Sequence, residues 1–326
     1  MDSKPRKRFS WARVLNFAPQ LLLLVIVAVA AVVDPRIIAP ANLVDVLVQA
    51  TPIALVALGA MVVLVSGGID FSPAYGVSMC AVLIGATLLA GGSLLEAMAW
   101  GIGGGVVLGL FNGLVIGVLR IPPFVTTFAS LTIVQGITLL LATETLIVQN
   151  PTLDALGSGS LGPFPLPIIA VGFVAVLVWI LVRHTRFGLR SYAIGSNEEA
   201  ARLSGVPMVR QQVLIYVFSG VMTALAAILL VGRVSIIAPN LGGISLLLDA
   251  IAATVIGGTS IFGGRGTVGG TLTGAVIVSL VTNVLRVLGV DPSSQEFFKG
   301  AIIIVALSAE AGFRALQNRL SSAEAR

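Results

Sequence analysis

Long runs of apolar residues, separated by short polar segments, dominate the sequence. Several runs approach the roughly 20 residues that a helix needs to cross a bilayer. The pattern predicts an all-α polytopic membrane protein with about ten transmembrane helices. The expected spans are 17–33, 43–65, 73–91, 94–119, 123–142, 165–183, 212–231, 246–262, 267–288 and 297–313. A β-barrel is disfavoured because segments of alternating polarity are missing.

Composition agrees with this class. The chain is 57% hydrophobic and only 10% charged, whereas soluble domains carry about 25% charged residues. The net charge of +5 comes from basic residues in short loops beside apolar spans, which a membrane explains better than nucleic-acid binding does. One cysteine, Cys80, excludes an intrachain disulfide, and with a single histidine no metal cluster is expected.

The distribution of lysine and arginine predicts an orientation. With ten spans and both termini in the cytoplasm, 15 of the 19 basic residues lie on the inner side, as the positive-inside rule requires. This gives a basic cytoplasmic tail over 1–16, a transmembrane domain over 17–313 and a second tail over 314–326. The longest cytoplasmic loop is 183–212. The first apolar run resembles a signal peptide, but it continues to Val33, which favours an uncleaved span.

Within that loop, the segment YAIGSNEEAARLSGVP at 192–207 has the pattern of a short capped helix from a soluble protein. Asn197 fits the N-cap position, two glutamates follow it in the first turn, and Arg202 comes near the end. Gly205 is expected to end the helix and Pro207 to keep it from resuming. The alternative interpretation is a solvated connector without a partner.

Glycine recurs every four residues in the fourth span. Small residues at this spacing form a groove in which another helix can approach closely, a main source of helix association in lipid. Packing within the chain is favoured over a subunit interface. The residues concerned are Gly101, Gly105, Gly109, Gly113 and Gly117.

Two further segments are too rich in glycine for regular helix: SGGIDFSPAYG at 66–76 and GGTSIFGGRGTVGGTLTG at 257–274. Unwound backbone at membrane depth occurs inside protein or beside a watery cavity. Together they suggest glycine-interrupted helices and an inverted repeat that relates spans 2–5 to spans 7–10. The alternative is two tight re-entrant turns that contact no substrate.

Five polar residues lie within apolar spans or at their edges and are candidates for a substrate pathway. They are Asp70, Asn112, Gln135, Asp249 and Asn283. The two carboxylates could instead cap helices, and the two asparagines could bridge helices, which is the favoured interpretation for the asparagines.

An enzyme constellation is missing from the sequence. Its three lysines do not follow the glycine spacing of a phosphate-binding P-loop, and neither a Gly-x-Ser-x-Gly elbow nor a His-Glu-x-x-His pair occurs. We therefore expect no catalytic residues, no metal and no ATP hydrolysis in this chain.

Four segments taken together carry a family resemblance. VSGGIDFS, FNGLVIGVLRIPPFVTTFASLTIVQGI, AIGSNEEAARLSGV and LDAIAATVIGGTSIFGGRGTVGGTLTGA resemble, in order, the signature segments of the ribose/xylose/arabinose-type permeases of bacterial ABC importers. The resemblance covers residues from about 45 to 310. Where that family commonly has Asp-Leu-Ser-Val-Gly, this chain has Asp-Phe-Ser-Pro-Ala at 70–74, which leaves the substrate open.

The resemblance implies a permease of the bacterial inner membrane that pairs with a second copy or a sister permease. A cytoplasmic ATPase would hold the ATP and magnesium, so this chain needs no cofactor, and a periplasmic binding protein would deliver a monosaccharide. The short helix in the 183–212 loop would then couple the permease to the ATPase. Its residues are Asn197, Glu198, Glu199, Ala200, Arg202, Leu203 and Gly205.

Alternatives remain at this stage. Related permeases carry nucleosides, autoinducer or branched-chain amino acids. An ion-coupled secondary transporter would need ionisable groups deep in the membrane, and the few carboxylates here lie mostly near predicted span edges. A scaffold without a pathway would not need glycine-interrupted helices.

Overall fold

The structure is a computed structural model that describes residues 18–291 and 293–301, together with 304 and 308. Both predicted tails, 1–16 and 314–326, lie outside the described residues, as does much of the predicted span 297–313. Residues 293–301 are helical, in agreement with the start of that span.

Helices account for most of the described chain. Their bounds are α1 Ala18–Val33, α2 Pro40–Val65, α3 Pro73–Leu89, α4 Leu94–Leu119, α5 Pro123–Leu141, α6 Pro151–Ser158, α7 Leu166–His184, α8 Arg186–Ser196, α9 Glu198–Leu203, α10 Met208–Val234, α11 Gly243–Ile256 and α12 Val268–Val287, with a 3-10 turn over Pro35–Ile38. Four two-residue strands are β1 Leu146–Ile147, β2 Ser160–Leu161, β3 Phe164–Pro165 and β4 Ile236–Ile237. Strand β1 pairs antiparallel with β4, and β2 with β3.

Six of these helices are long and apolar enough to cross a membrane: α2, α4, α5, α7, α10 and α12. Helices α1, α3 and α11 are apolar but shorter. The predicted all-α, multi-pass membrane protein is therefore confirmed. Each of the nine apolar helices begins and ends within a few residues of its predicted span, except α11, which ends at Ile256 and not at 262. The count of ten spans stays a prediction.

Helix α2 is the centre of the bundle. From Ala50 to Val65 every residue is buried, because α7, α8, α10, α11 and α12 surround it. A helix that is apolar on all sides can be accommodated only in such a place. The proline within it, Pro52, follows a turn in which the Thr51 hydroxyl donates to the Val48 carbonyl at 2.7 Å.

The glycines of α4 let its backbone touch that of α10. A β-carbon added at Gly109 would lie 2.6 Å from the Cα of Val217, and one at Gly113 would lie 2.5 Å from the Cα of Val213. A β-carbon at Gly105 would overlap the α10 backbone. These distances are shorter than van der Waals contact, so only glycine fits at this crossing.

The ends of the glycine stripe are placed differently. Gly101 faces α3, where an added β-carbon would lie 2.7 Å from the Ile84 side chain. Gly117 lies against the start of α10, with 3.3 Å between its added β-carbon and the Cα of Val209. The stripe therefore lies against α3 and α10 of the same chain.

The crossing of α4 and α10 generates a stability prediction. Gly109→Ala should lower the free energy of unfolding by about 1–3 kcal/mol, because the added methyl group forces two backbones apart. The matched control is Gly103→Ala on the same helix, where nothing lies within 4 Å of the new β-carbon. Thermal unfolding of the purified protein in detergent measures both. Equal melting temperatures for the two variants would contradict the close contact.

Candidate functional site

Helix α9 is the short capped helix predicted from the sequence. Asn197 follows the last residue of α8, and its Oδ1 accepts a hydrogen bond from the Ala200 N–H at 2.9 Å, so it is the N-cap of α9. Arg202 donates to the Glu199 carboxylate at 2.7 Å, and this carboxylate raises the pKa of Arg202. A single residue thus joins α8 to α9.

Gly205 ends α9 with a left-handed turn. Its φ is +81°, a conformation that glycine adopts without strain. The Gly205 N–H donates to the Arg202 carbonyl at 3.0 Å, and the Val206 N–H donates to the Ala201 carbonyl at 3.2 Å, which is the Schellman pattern of a helix end. Pro207 does not prevent a new helix from starting, since α10 begins at the next residue, Met208.

Most of α9 faces away from the protein. Ala201 is buried at 4% exposure, whereas Leu203 is 79% exposed. The predicted coupling residues are all exposed: Asn197, Glu198, Glu199, Ala200, Arg202, Leu203 and Gly205. The helix therefore presents an apolar side chain, with charged neighbours, to whatever lies beyond the bundle.

The two glycine-rich segments both lie against α8 at Gly195. We call residues 66–72 the first glycine loop and residues 257–267 the second glycine loop. The Gly264 N–H donates to the carbonyl of Val65, the last residue of α2, at 2.8 Å. The Tyr192 hydroxyl of α8 donates to the Gly266 carbonyl at 2.6 Å. Gly195 fits between both loops, because a β-carbon there would overlap the Val65 carbonyl oxygen.

The first glycine loop is tied to the bundle by a buried network of Asp70, Ser72, Asn112 and Ser219, which we call the Asp70 network. One oxygen of Asp70 accepts from the Ser72 N–H at 2.9 Å and from its hydroxyl at 2.6 Å. The other oxygen accepts from Ser219 of α10 at 2.7 Å. Asn112 of α4 donates to the Ser72 hydroxyl at 2.9 Å. Asp70 is only 5% exposed, so these donors replace water around its carboxylate.

Two buried side-chain groups around the first glycine loop lack a hydrogen-bond partner within the described part of the chain. They are the Oδ1 of Asn112 and the hydroxyl of Tyr216. The Tyr216 hydroxyl lies directly against Gly68, where a β-carbon would come within 2.6 Å. An unpaired buried polar group is destabilising. These groups can therefore still accept or donate hydrogen bonds beside the loop, and forming such bonds would be favourable.

The other predicted pathway residues lie elsewhere. Asp249 is in the middle of α11 and pairs with Lys299 at 3.1 Å, so it does not cap a helix. Asn283 of α12 exchanges two hydrogen bonds with Asn42 of α2, at 2.9 and 3.0 Å, and so bridges two helices. Gln135 is half-buried on α5. Of the five residues, only Asp70 and Asn112 share a site.

Sequence reasoning missed Ser72, Ser219 and Lys299. Ser72 carried a usable signal, because a serine two residues after an aspartate is a common turn and capping pattern. Ser219 is 149 residues from Asp70 and Lys299 is 50 residues from Asp249, and no local pattern indicates either pairing.

The Asp70 network generates a second stability prediction. Ser219→Ala should lower the free energy of unfolding by about 1–3 kcal/mol, because one oxygen of a buried carboxylate loses its donor. The control is Thr223→Val, one turn further along α10, whose hydroxyl bonds only to its own helix at the Ser219 carbonyl. Unfolding in detergent compares the two. A control as unstable as the test variant would mean that the Asp70 contact adds nothing.

Comparisons with known proteins show which family this chain belongs to. Residues 42–307 match the family described as the permease component of branched-chain amino acid transport systems. The ribose import permease of Bacillus subtilis (strain 168) is 35% identical over 93% of this chain and 95% of its own length.

Two Escherichia coli (strain K12) proteins are also similar. The galactose/methyl galactoside import permease is 36% identical over 88% of this chain and 91% of its own length. The galactofuranose transporter permease is 32% identical over 93% of this chain and 91% of its own length. These matches confirm the resemblance found in the sequence, and the chain belongs to this family of transport-system permeases.

Proposed function

We propose that this chain is the transmembrane subunit of an ATP-driven ABC importer that brings a sugar into a bacterial cell. Three similar proteins are named as permeases for ribose, galactose/methyl galactoside and galactofuranose. A periplasmic binding protein would deliver the sugar, and a second copy of this chain or a sister permease would complete the pathway. A branched-chain amino acid is the second candidate, because the matching family is described by transport of that class of solute.

The observation that carries the proposal is the position of α9. It is a rigid, exposed helix with Leu203 at 79% exposure, and α8, to which Asn197 joins it, rests on both glycine loops. An ion-coupled carrier does not need such an element, whereas a permease driven by a separate ATPase does. Because this sequence has no P-loop, ATP and magnesium belong to that partner, where ATP hydrolysis supplies the energy.

The proposed topology has ten spans, both termini in the cytoplasm, and α8, α9 and both glycine loops on the cytoplasmic side. The basic residues support it, since 15 of 19 then lie inside. The nine apolar helices and the helical start of the last span supply the ten crossings. The repeat of spans 2–5 and 7–10 stays a prediction.

The contacts suggest how motion passes through this chain. A displacement of Leu203 moves α9 and α8 together, because Asn197 caps one helix and ends the other. At Gly195 the movement reaches the end of α2 and the second glycine loop. From the first glycine loop it continues through Asp70 to α10 and through Ser72 to α4. Alternating access follows if α4 and α10 then change their tilt.

Reconstitution tests the proposal. The permease is placed in liposomes with a candidate ATPase and binding protein, and ATP hydrolysis and uptake are measured with ribose, galactose and leucine. Sugar-loaded binding protein should stimulate hydrolysis and uptake, and leucine should not. Uptake driven by a proton or sodium gradient without ATP would overturn the importer, and uptake of leucine alone would replace the sugar by an amino acid.

The coupling role generates a separate prediction. Gly205→Pro should lower transport by about tenfold or more, because proline fixes φ near −65° and removes the N–H that closes α9. Membrane insertion and thermal stability should stay close to normal.

Gly205→Asn is the matched control, since asparagine tolerates the left-handed conformation. Its transport should resemble that of the unaltered protein. Normal transport by the proline variant would remove the coupling assignment.

A further inference from the structure

A cavity of about 420 Å³ lies between α9 and the body of the protein. Its volume falls within the range of roughly 300–1,000 Å³ that is usual for small-molecule sites. One wall is formed by Glu198, Glu199 and Arg202 of α9. The opposite wall consists of Ser66 to Gly68, the end of α4 with Arg120, the start of α5 and the start of α10 with Gln212.

The side chains that line this cavity carry no net formal charge. Two arginines and two glutamates line it, and one of each, Arg202 and Glu199, already form an ion pair at 2.7 Å. A phosphate or nucleotide would meet two carboxylates, and a cation would meet two guanidinium groups. A neutral ligand that both donates and accepts hydrogen bonds fits all of these groups.

Arg120 is held in an unusual backbone conformation at the cavity wall. Its φ is +57° and ψ is +28° at the end of α4, a left-handed position where helices prefer glycine and where other residues are strained. Within the described chain, the side chains of Arg120 and Gln212 form no hydrogen bond or ion pair. The strained position therefore keeps a guanidinium group at the wall with its donors free for a ligand.

Apolar groups complete the lining. Ile121, Pro122 and Met208 lie beside the polar side chains. A sugar ring has the same two characters, with hydroxyls around its edge and C–H groups on its faces. Guanidinium, carboxylate and carboxamide groups can bind the hydroxyls while the apolar residues contact a ring face.

We propose that this cavity binds a neutral monosaccharide from the cytoplasm, and that binding slows the transporter. The inference rests on the proposed function, which places α9 on the cytoplasmic side. The cavity exists only while α9 lies against the bundle, because α9 supplies one wall. A ligand that contacts both walls stabilises that arrangement at the expense of the others. Imported sugar would thus restrain further import once it reaches about millimolar concentration.

The test uses liposomes that hold permease, ATPase and binding protein, with the ATPase facing the bath. Labelled sugar and binding protein are enclosed, ATP is added outside, and the rate of sugar exit is measured against rising ribose in the bath. Ribose should lower the rate in a saturable way. Ribose 5-phosphate, which adds a dianion to a similar sugar, should inhibit less.

Arg120→Gly and Gln212→Ala test the site itself. Glycine keeps the left-handed backbone and removes the guanidinium group. Each variant should raise the half-inhibitory ribose concentration by about tenfold, the usual effect of losing one charge-assisted or well-aligned hydrogen bond. Rates without ribose in the bath should hardly change. Arg210→Ala, an exposed arginine of α10 that does not line the cavity, should be inhibited like the unaltered protein.

Three results would overturn the inference. They are transport that ribose in the bath does not slow, equal inhibition of all variants, and stronger inhibition by ribose 5-phosphate than by ribose. Failure of the proposed function gives a different result, since binding protein and ATP would then drive no sugar exit even with no ribose in the bath.

Discussion

Helices in a bilayer gain little from hiding apolar side chains from one another, because lipid is equally apolar. Close backbone contact takes over that role, and in this protein the contact between α4 and α10 at Gly105, Gly109 and Gly113 is the place where it occurs. Many residues of the candidate site and of the proposed cavity lie on these two helices. Asn112 precedes one of the glycines on α4, Arg120 ends the same helix, and Tyr216, Ser219 and Gln212 are on the facing part of α10. The position of each is thus set by the absence of side chains at the crossing.

The buried carboxylate of Asp70 has a different role from that crossing. The α4 glycines recur every four residues, so a slide of one helix by one glycine spacing would again place glycine at the crossing. The Asp70 carboxylate accepts three hydrogen bonds, and a slide of the helices would break some of them. A buried carboxylate that loses its donors in apolar surroundings is strongly destabilising. The close contact therefore brings the helices together, and the Asp70 network selects one register between the first glycine loop, α4 and α10.

Local features were readable from the sequence. The cap at Asn197, the left-handed end at Gly205 and the spacing of the α4 glycines depend on neighbours within one or two helical turns, and all three are present. Long-range pairings were not readable. The sequence leaves open that Asp249 caps a helix, whereas the structure pairs it with Lys299. Nothing in the sequence indicates that Gly264 of the second glycine loop bonds to Val65 at the end of α2. Such contacts depend on how nine or more helices pack, which span patterns do not determine.

The connection between α8 and α9 has a mechanical consequence. It consists of Asn197 alone, whose backbone N–H closes α8 on the Ala193 carbonyl while its side chain caps α9. A linker of several flexible residues would absorb a small push as slack, and the far end would not respond. Here the connection is one residue that is hydrogen-bonded to both helices, so we expect α8 and α9 to move together. Under the proposed coupling role, a small displacement of α9 by the partner would therefore be enough to reach the end of α2.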